Sequence, residues 1–127
     1  MKTVAAILRA VTEHRPYTRS LPLTLEEVEL SRPRAGELLV RIMAAGVCHS
    51  DISVVDGTRV RPMPMALGHE AAGVVEEVGQ AVRDVAPGDH VVLTFVPSCG
   101  LCGEGASGRP ALCVPGAAAT ASGGLLH

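Results

Sequence analysis

Cys48 and His69 are the residues of this chain best suited to chemistry, because a thiolate and an imidazole are common ligands of zinc. Each has a carboxylate close by in the sequence, Asp51 after Cys48 and Glu70 directly after His69. The two candidate ligands lie too far apart for a zinc-finger knuckle, so a folded domain has to bring them together. Each also has a structural alternative: Cys48 as a small buried side chain, and His69 as a histidine of structural importance only.

A second group of cysteines, Cys99, Cys102 and Cys113, lies in a Gly-rich part of the chain. The first two have the spacing of a zinc knuckle. Closed structural zinc sites use four ligands, and no fourth cysteine is nearby. Three thiolates with a water molecule, or with Glu104 as a strained fourth ligand, would form a weakened site.

One stretch of this segment, residues 103–108, matches the nucleotide-binding pattern G-x-G-x-x-G literally. A nucleotide fingerprint has to follow a strand and open a helix. This stretch lies between cysteines and is followed by Arg109 and Pro110. We therefore predict a loop that binds no nucleotide.

The composition excludes several classes of function. A net charge of −2 argues against nucleic acid and anionic membranes as partners, and one Phe, one Tyr and no Trp argue against base stacking. No apolar run approaches about 18 residues, the length of a membrane span, and no signal peptide is recognisable. The four cysteines therefore predict thiol and metal chemistry in a reducing cytoplasm rather than two disulfides.

Short apolar segments between Pro- and Gly-rich turns predict a mostly β domain, a barrel or a sandwich. The predicted strands cover residues 3–8, 23–30, 37–47, 70–78 and 90–95. Both faces of the 37–47 strand are mostly apolar, so we expect it deep in the core. A short helix is predicted at residues 49–55, and an extended loop at 61–65. Residues 116–124 carry no structural signal of their own.

Two stretches together resemble the zinc-dependent alcohol dehydrogenases of the medium-chain dehydrogenase/reductase family. The first, residues 68–73, reads G-H-E-x-x-G and with Gly79 and Val82 fits the zinc signature of that family; the second, residues 47–51, fits its first-ligand segment V-C-H-S-D. The resemblance implies an N-terminal GroES-like domain over residues 1–127, a partly open β-barrel with short helices and a cysteine-containing lobe at about 97–115. Members of the family carry a nicotinamide-binding Rossmann domain after this one, and that domain is absent from the chain.

The resemblance also implies roles for the first group of residues. Cys48 and His69 would hold a catalytic zinc, with a third protein ligand from the cofactor domain. Asp51 would accept the spare imidazole N–H of His69, and Ser50 would pass on the proton of the alcohol. Glu70 corresponds to a family glutamate near the metal. We expect it to lie next to the ligands without binding the metal; direct binding as an alternative ligand is the second interpretation. From the residues alone, Asp51 could equally be a helix N-terminal acid and Ser50 a helix cap.

Three further positions follow from the same resemblance. His49 matches a position that contacts the cofactor pyrophosphate in relatives, and is otherwise a surface histidine. Ser53 stands where many members continue the proton relay with a histidine. Gly105 stands where the fourth cysteine of a structural zinc lobe would be, so that Cys99, Cys102 and Cys113 form an incomplete set.

The expected function is zinc-assisted, nicotinamide-linked interconversion of alcohols with aldehydes or ketones. The implied cofactors are Zn²⁺ and NAD or NADP, the substrate is a small alcohol or aldehyde, and full-length relatives are homo-oligomers. The alternative is a non-catalytic GroES-like barrel, or a metal-binding module from a truncated gene product. We expect the 127-residue chain on its own to be inactive, because it lacks a nucleotide-binding unit and a third metal ligand of the family type.

Overall fold

Six strands form two three-stranded antiparallel sheets in the computed structural model, which describes residues 1–121. The first sheet has the order β2-β1-β4, with β1 at Lys2–Leu8, β2 at Leu23–Glu29 and β4 at Met65–Ala66. The second has the order β3-β5-β6, with β3 at Leu38–Ala45, β5 at Ala71–Val78 and β6 at His90–Leu93. The two sheets do not close, which confirms a mostly β domain of the partly open barrel type.

Three strands differ clearly from the prediction, and the first is β3, which ends at Ala45 rather than at residue 47. β4 forms at the end of the predicted extended loop and pairs with β1, so that the loop joins the first sheet. β6 ends at Leu93, so that Phe95 lies in the following connection rather than in the strand.

Short helices connect and follow the strands within residues 1–121: α1 at Tyr17–Ser20, α2 at His49–Val55, α3 at Gly103–Ala106 and α4 at Val114–Ala121, with a 3₁₀ turn at Pro110–Leu112. α2 has its predicted limits. The loop predicted at the G-x-G-x-x-G stretch is a single helical turn, α3, which follows no strand. α4 was not predicted, although alanine has the highest helix propensity and the segment is alanine-rich. None of these helices is long and apolar enough to cross a membrane.

The core that holds α2 in place consists of Leu8 from β1 with Val54 and Val55 from α2. Half-buried apolar side chains pack around it: Tyr17, Met63, Met65 and Leu67. Because Leu8 is fully buried at the end of β1, the helix is fixed against the first sheet. This packing sets the position of the N-terminus of α2, where Cys48 lies.

The prediction that residues 37–47 lie deep in the core is wrong. Leu38 to Val40 are half-buried, but the rest of β3 is exposed, including Ile42 at 49% and Met43 at 64%. The physical reason is that β3 is an edge strand, hydrogen-bonded to β5 alone. Apolar residues on both faces imply burial only where an element covers each face, and the described part of the chain does not cover this half of β3.

Gly79 of the signature lies where the chain leaves β5 and passes the backbone before β3. Its N–H donates to the Glu37 carbonyl at 2.8 Å. A Cβ atom at this position would lie 1.7 Å from the Arg34 carbonyl oxygen, far inside contact distance. The close approach of two backbone segments therefore requires glycine here.

We expect Gly79→Ala to lower the free energy of unfolding by about 1–3 kcal/mol, because the added methyl group forces the two backbone segments apart. Gly103→Ala is the matched control, since a Cβ at Gly103 would meet nothing within 4 Å. Urea unfolding of both variants measures the difference. Equal stability of the two variants would contradict the close approach.

Candidate metal centre

The N-terminus of α2 and the segment before β5 together position the first group of candidate residues. Cys48 is the N-cap of α2, and Ser50 and Asp51 lie in its first turn. His69 follows Gly68, whose φ of +107° is a conformation that favours glycine. The N–H of Gly46 donates to the Glu70 carbonyl at 2.8 Å, which ties the two segments together.

The structure brings Cys48, His69 and Glu70 into one group. Their ligand atoms all lie within 4.8 Å of one another. Cys48 and His69 are half-buried, and Glu70 is exposed. A thiolate, an imidazole and a carboxylate form a donor set that suits zinc, so the residues present fit the metal. The sequence placed Glu70 behind the ligands, whereas the geometry allows its carboxylate to be the third ligand from this chain.

Asp51 links the two candidate ligands. Its side chain is buried, with 7% of the residue exposed, and a buried carboxylate needs partners for both oxygens. Oδ1 lies 3.2 Å from Nδ1 of His69, and Oδ2 accepts the backbone N–H of Cys48 at 3.0 Å. Because a carboxylate only accepts, the proton of a neutral His69 belongs on Nδ1. Nε2 then carries the lone pair that can accept a hydrogen bond or bind a metal.

Ser50 lies on the opposite side of the imidazole from Asp51. Its Oγ is 3.3 Å from Nε2 of His69, so with the proton on Nδ1 the serine hydroxyl donates to Nε2. His49 is exposed in the first turn of α2 and is not part of the group. Ser53 is also separate, because its Oγ donates to the His49 carbonyl at 3.3 Å.

Other residues around His69 were not predicted from the sequence. The Phe95 ring lies against the imidazole, with 4.7 Å between ring centroids. A cavity of about 90 Å³ adjoins Ser50 and His69, and it is also lined by Arg59, Arg61, Phe95 and Thr120. Phe95 is the only phenylalanine of the chain, and the Arg-Val-Arg triplet precedes the signature. These were the available signals, but neither indicates proximity to His69.

The second group also assembles. The sulfur atoms of Cys99, Cys102 and Cys113 lie within 4.8 Å of one another, and all four cysteines of the chain are free thiols. Cys113 is fully buried, and its Sγ accepts two backbone N–H groups at 3.3 Å, from Cys99 and Gly116. The group does not include Glu104, whose Oε2 lies 3.9 Å from Nη1 of Arg109.

Hydrogen bonds and neighbouring thiols shift the pKa values of Cys99 and Cys102 in opposite directions. The backbone N–H of Leu101, followed by that of Cys102, lowers the pKa of Cys99 to about 7. For Cys102, the N–H of Gly105 favours the thiolate, but burial and the neighbouring thiols outweigh it and raise the pKa.

Comparison with known proteins agrees with the fold. The family model described as the alcohol dehydrogenase GroES-like domain matches residues 34–127. An NDMA-dependent alcohol dehydrogenase from Amycolatopsis methanolica is 47% identical over 117 residues, which cover 92% of this chain and 29% of that protein. The chain thus spans less than a third of the length of this relative.

Solved structures of alcohol dehydrogenases are similar to this chain in both fold and sequence. An alcohol dehydrogenase zinc-binding domain protein from Burkholderia ambifaria superposes with a TM-score of 0.78 at 42% identity, covering 90% of this chain and 28% of that one. A cobalt- and zinc-bound thermostable alcohol dehydrogenase from Pyrobaculum aerophilum superposes with a TM-score of 0.76 at 36% identity, covering 90% and 33%. With a family match over most of its length and these likenesses in sequence and fold, the chain belongs to the alcohol dehydrogenase GroES-like domain family.

Proposed function

We propose that this chain provides the metal-binding half of the active site of a zinc-dependent alcohol dehydrogenase, which transfers a hydride between a small alcohol and NAD or NADP. The observation that carries this proposal is the arrangement around Asp51, which contacts the imidazole of one candidate ligand and the backbone of the other. The contact with Cys48 also closes the capping box of α2, whereas the contact with His69 lies outside the helix and acts on the imidazole alone. Relatives named alcohol dehydrogenases support the same reaction class.

Cys48, His69 and Glu70 are the residues that would hold the zinc. When bound, zinc acts as a Lewis acid that polarises the substrate oxygen and lowers the pKa of an alcohol. Asp51 keeps the proton of a neutral His69 on Nδ1 and thereby leaves Nε2 as the nitrogen that would bind the metal. The carboxylate also fixes the orientation of the imidazole ring, which supports it as a ligand.

Ser50 is the residue that would accept the proton of the alcohol. Its hydroxyl adjoins both Nε2 of His69 and the cavity, and a hydroxyl can accept one proton while it donates another. Ser53 is unavailable for the next step as it stands, because its hydroxyl donates to the helix backbone. From Ser50 the proton would therefore pass to solvent. His49, exposed at the start of α2, would contact the cofactor pyrophosphate.

The Cys99, Cys102 and Cys113 group would form a separate and weaker zinc site, because it offers three thiolates where a closed structural site needs four. Assembly into homo-oligomers and a cytoplasmic location stay predictions from the sequence.

The proposal is tested by joining the chain to the nicotinamide-binding domain of a relative and measuring oxidation of primary alcohols with NAD and NADP. We expect turnover by the joined protein and none by the 127-residue chain or the added domain alone. Zinc content is measured on the same samples. A joined protein that binds zinc but oxidises no alcohol would favour the alternative of a non-catalytic metal-binding module.

A further inference from the structure

We propose that Arg59 and Arg61 select an alcohol or aldehyde that carries a carboxylate group at some distance from the reacting carbon. This inference rests on the proposed function, since the cavity that the two arginines line is the one beside Ser50 and His69. It goes further by naming the chemical class of the substrate.

The first observation is the burial of the two arginines without a counter-charge. Arg59 and Arg61 are half-buried, whereas the other arginines of residues 1–121 are exposed. Neither of the two lies within ion-pair distance of a carboxylate in this part of the chain. Arg19 and Arg83 also lack a carboxylate partner, but both are exposed to solvent. Removing a cation from water without a partner costs free energy. Two such cations at one cavity therefore point to an anion that binds there.

The second observation is how Arg59 is held. Its guanidinium carbon lies 5.1 Å from the centroid of the Phe95 ring, a cation–π contact that fixes the group but neutralises no charge. The same ring lies against His69. Phe95 thus contacts both the cation and the imidazole. Arg61 has one donor occupied, by the Val60 carbonyl at 3.3 Å from Nη1, and its other N–H groups remain for a ligand.

The nearby acids of the chain are already engaged. Asp51 contacts His69 and Cys48 with its two oxygens, and Glu70 belongs to the metal group. Within residues 1–121 these acids do not pair with the two arginines, and we assign the anion to a ligand. The planar fork of a guanidinium matches a carboxylate in two parallel hydrogen bonds. Because Arg59 and His69 each contact the Phe95 ring, a ligand that reaches both groups would carry its carboxylate several bonds from its hydroxyl group, as in a short ω-hydroxy acid.

The test compares two ligands of similar length in the 127-residue chain with zinc in the buffer. 4-Hydroxybutyrate carries the carboxylate, and 1-pentanol replaces it by an ethyl group; binding is followed by NMR shifts of backbone amides at the cavity. We expect 4-hydroxybutyrate to bind about 10- to 100-fold more tightly, the usual effect of a hydrogen-bonded charge pair. Arg59→Leu should remove this preference, Arg59→Lys should keep part of it, and the exposed control Arg83→Leu should leave it unchanged.

Equal affinity of the parent chain for the two ligands would overturn the proposal, and this comparison needs no variant to fold. Inorganic phosphate is the third ligand. Tight phosphate binding without 4-hydroxybutyrate binding would overturn the proposal too, because the arginines would then serve a cofactor phosphate. Failure of the proposed function looks different: the joined protein would then oxidise neither 1-pentanol nor 4-hydroxybutyrate. Oxidation of both with equal kcat/KM would overturn the carboxylate preference alone.

Discussion

Cys48→Ala is expected to abolish alcohol oxidation in the joined protein and to remove the zinc of the catalytic site. The thiolate is one of the three ligand groups that this chain brings within 4.8 Å of one another, and alanine offers no replacement. Zinc per chain and turnover are measured on the same preparation. Because the cysteine lobe lies elsewhere in the chain, zinc bound there should be unaffected.

Ser50→Ala should separate metal binding from proton transfer. The variant keeps all three candidate ligands and should keep its zinc, whereas turnover should fall by roughly 10²–10⁴-fold where proton transfer limits the rate. The loss should become smaller as the pH rises, because base in solution can then take the proton. Ser53→Ala is the matched control, a serine of the same helix whose hydroxyl donates to the backbone. We expect its turnover to be close to that of the parent.

The effect of Asp51→Asn on zinc binding and turnover should lie between those of Cys48→Ala and Ser50→Ala. The substitution keeps the shape of the side chain but replaces one accepting oxygen by an NH₂ group. In the parent, Oδ1 lies 3.2 Å from Nδ1 of His69 and Oδ2 lies 3.0 Å from the Cys48 nitrogen. We expect zinc affinity to fall by about 10–100-fold through loss of this support. A Ser50→Ala variant that loses zinc, together with a Cys48→Ala variant that keeps it, would show that the roles are wrongly assigned.

Gly105→Cys is expected to convert the cysteine lobe into a closed four-thiolate site. A Cβ at this position would lie 3.5 Å from Sγ of Cys102 and 3.4 Å from Oγ of Ser98, which is ordinary contact, so a side chain fits and starts next to the group. Four-ligand structural sites bind zinc with apparent free energies of about 10–16 kcal/mol, so one further thiolate should tighten binding by roughly 100-fold or more.

The measurement is competition with a chelator, together with the melting temperature in chelator. Gly103→Cys is the matched control, because it adds a thiol to the same helical turn where a Cβ would meet nothing within 4 Å. The control should leave both quantities unchanged. If Gly105→Cys behaves like the control, the lobe is not an incomplete zinc site.

The sequence was sufficient to predict the elements with local signals. The strand at residues 70–78 and the helix at residues 49–55 formed close to their expected limits, because apolar patterning and flanking glycines act over a few residues. The approach of Cys48 to His69 followed from a resemblance, not from patterning. By contrast, α4 was missed because its alanine-rich composition has no apolar period, although its helix propensity is high.

Contacts between side chains from different elements could not be predicted from the sequence. Glu70 reaches the metal group, Phe95 reaches His69, and Arg59 reaches Phe95 across connections of different length. No local pattern encodes such contacts, since each depends on how the two sheets and α2 pack. The burial of β3 was predicted wrongly for the same reason: its apolar residues report a preference for burial, and only the fold decides whether another element covers them.

The central claim is that His69 binds the metal through Nε2 while Asp51 holds its other nitrogen. The most direct test is NMR of the ¹⁵N-labelled chain loaded with ¹¹³Cd in place of zinc. We predict a one-bond coupling between cadmium and Nε2 of His69, with a proton on Nδ1, and loss of this coupling in Cys48→Ala. Coupling through Nδ1, or cadmium bound only at the cysteine lobe, would contradict the account.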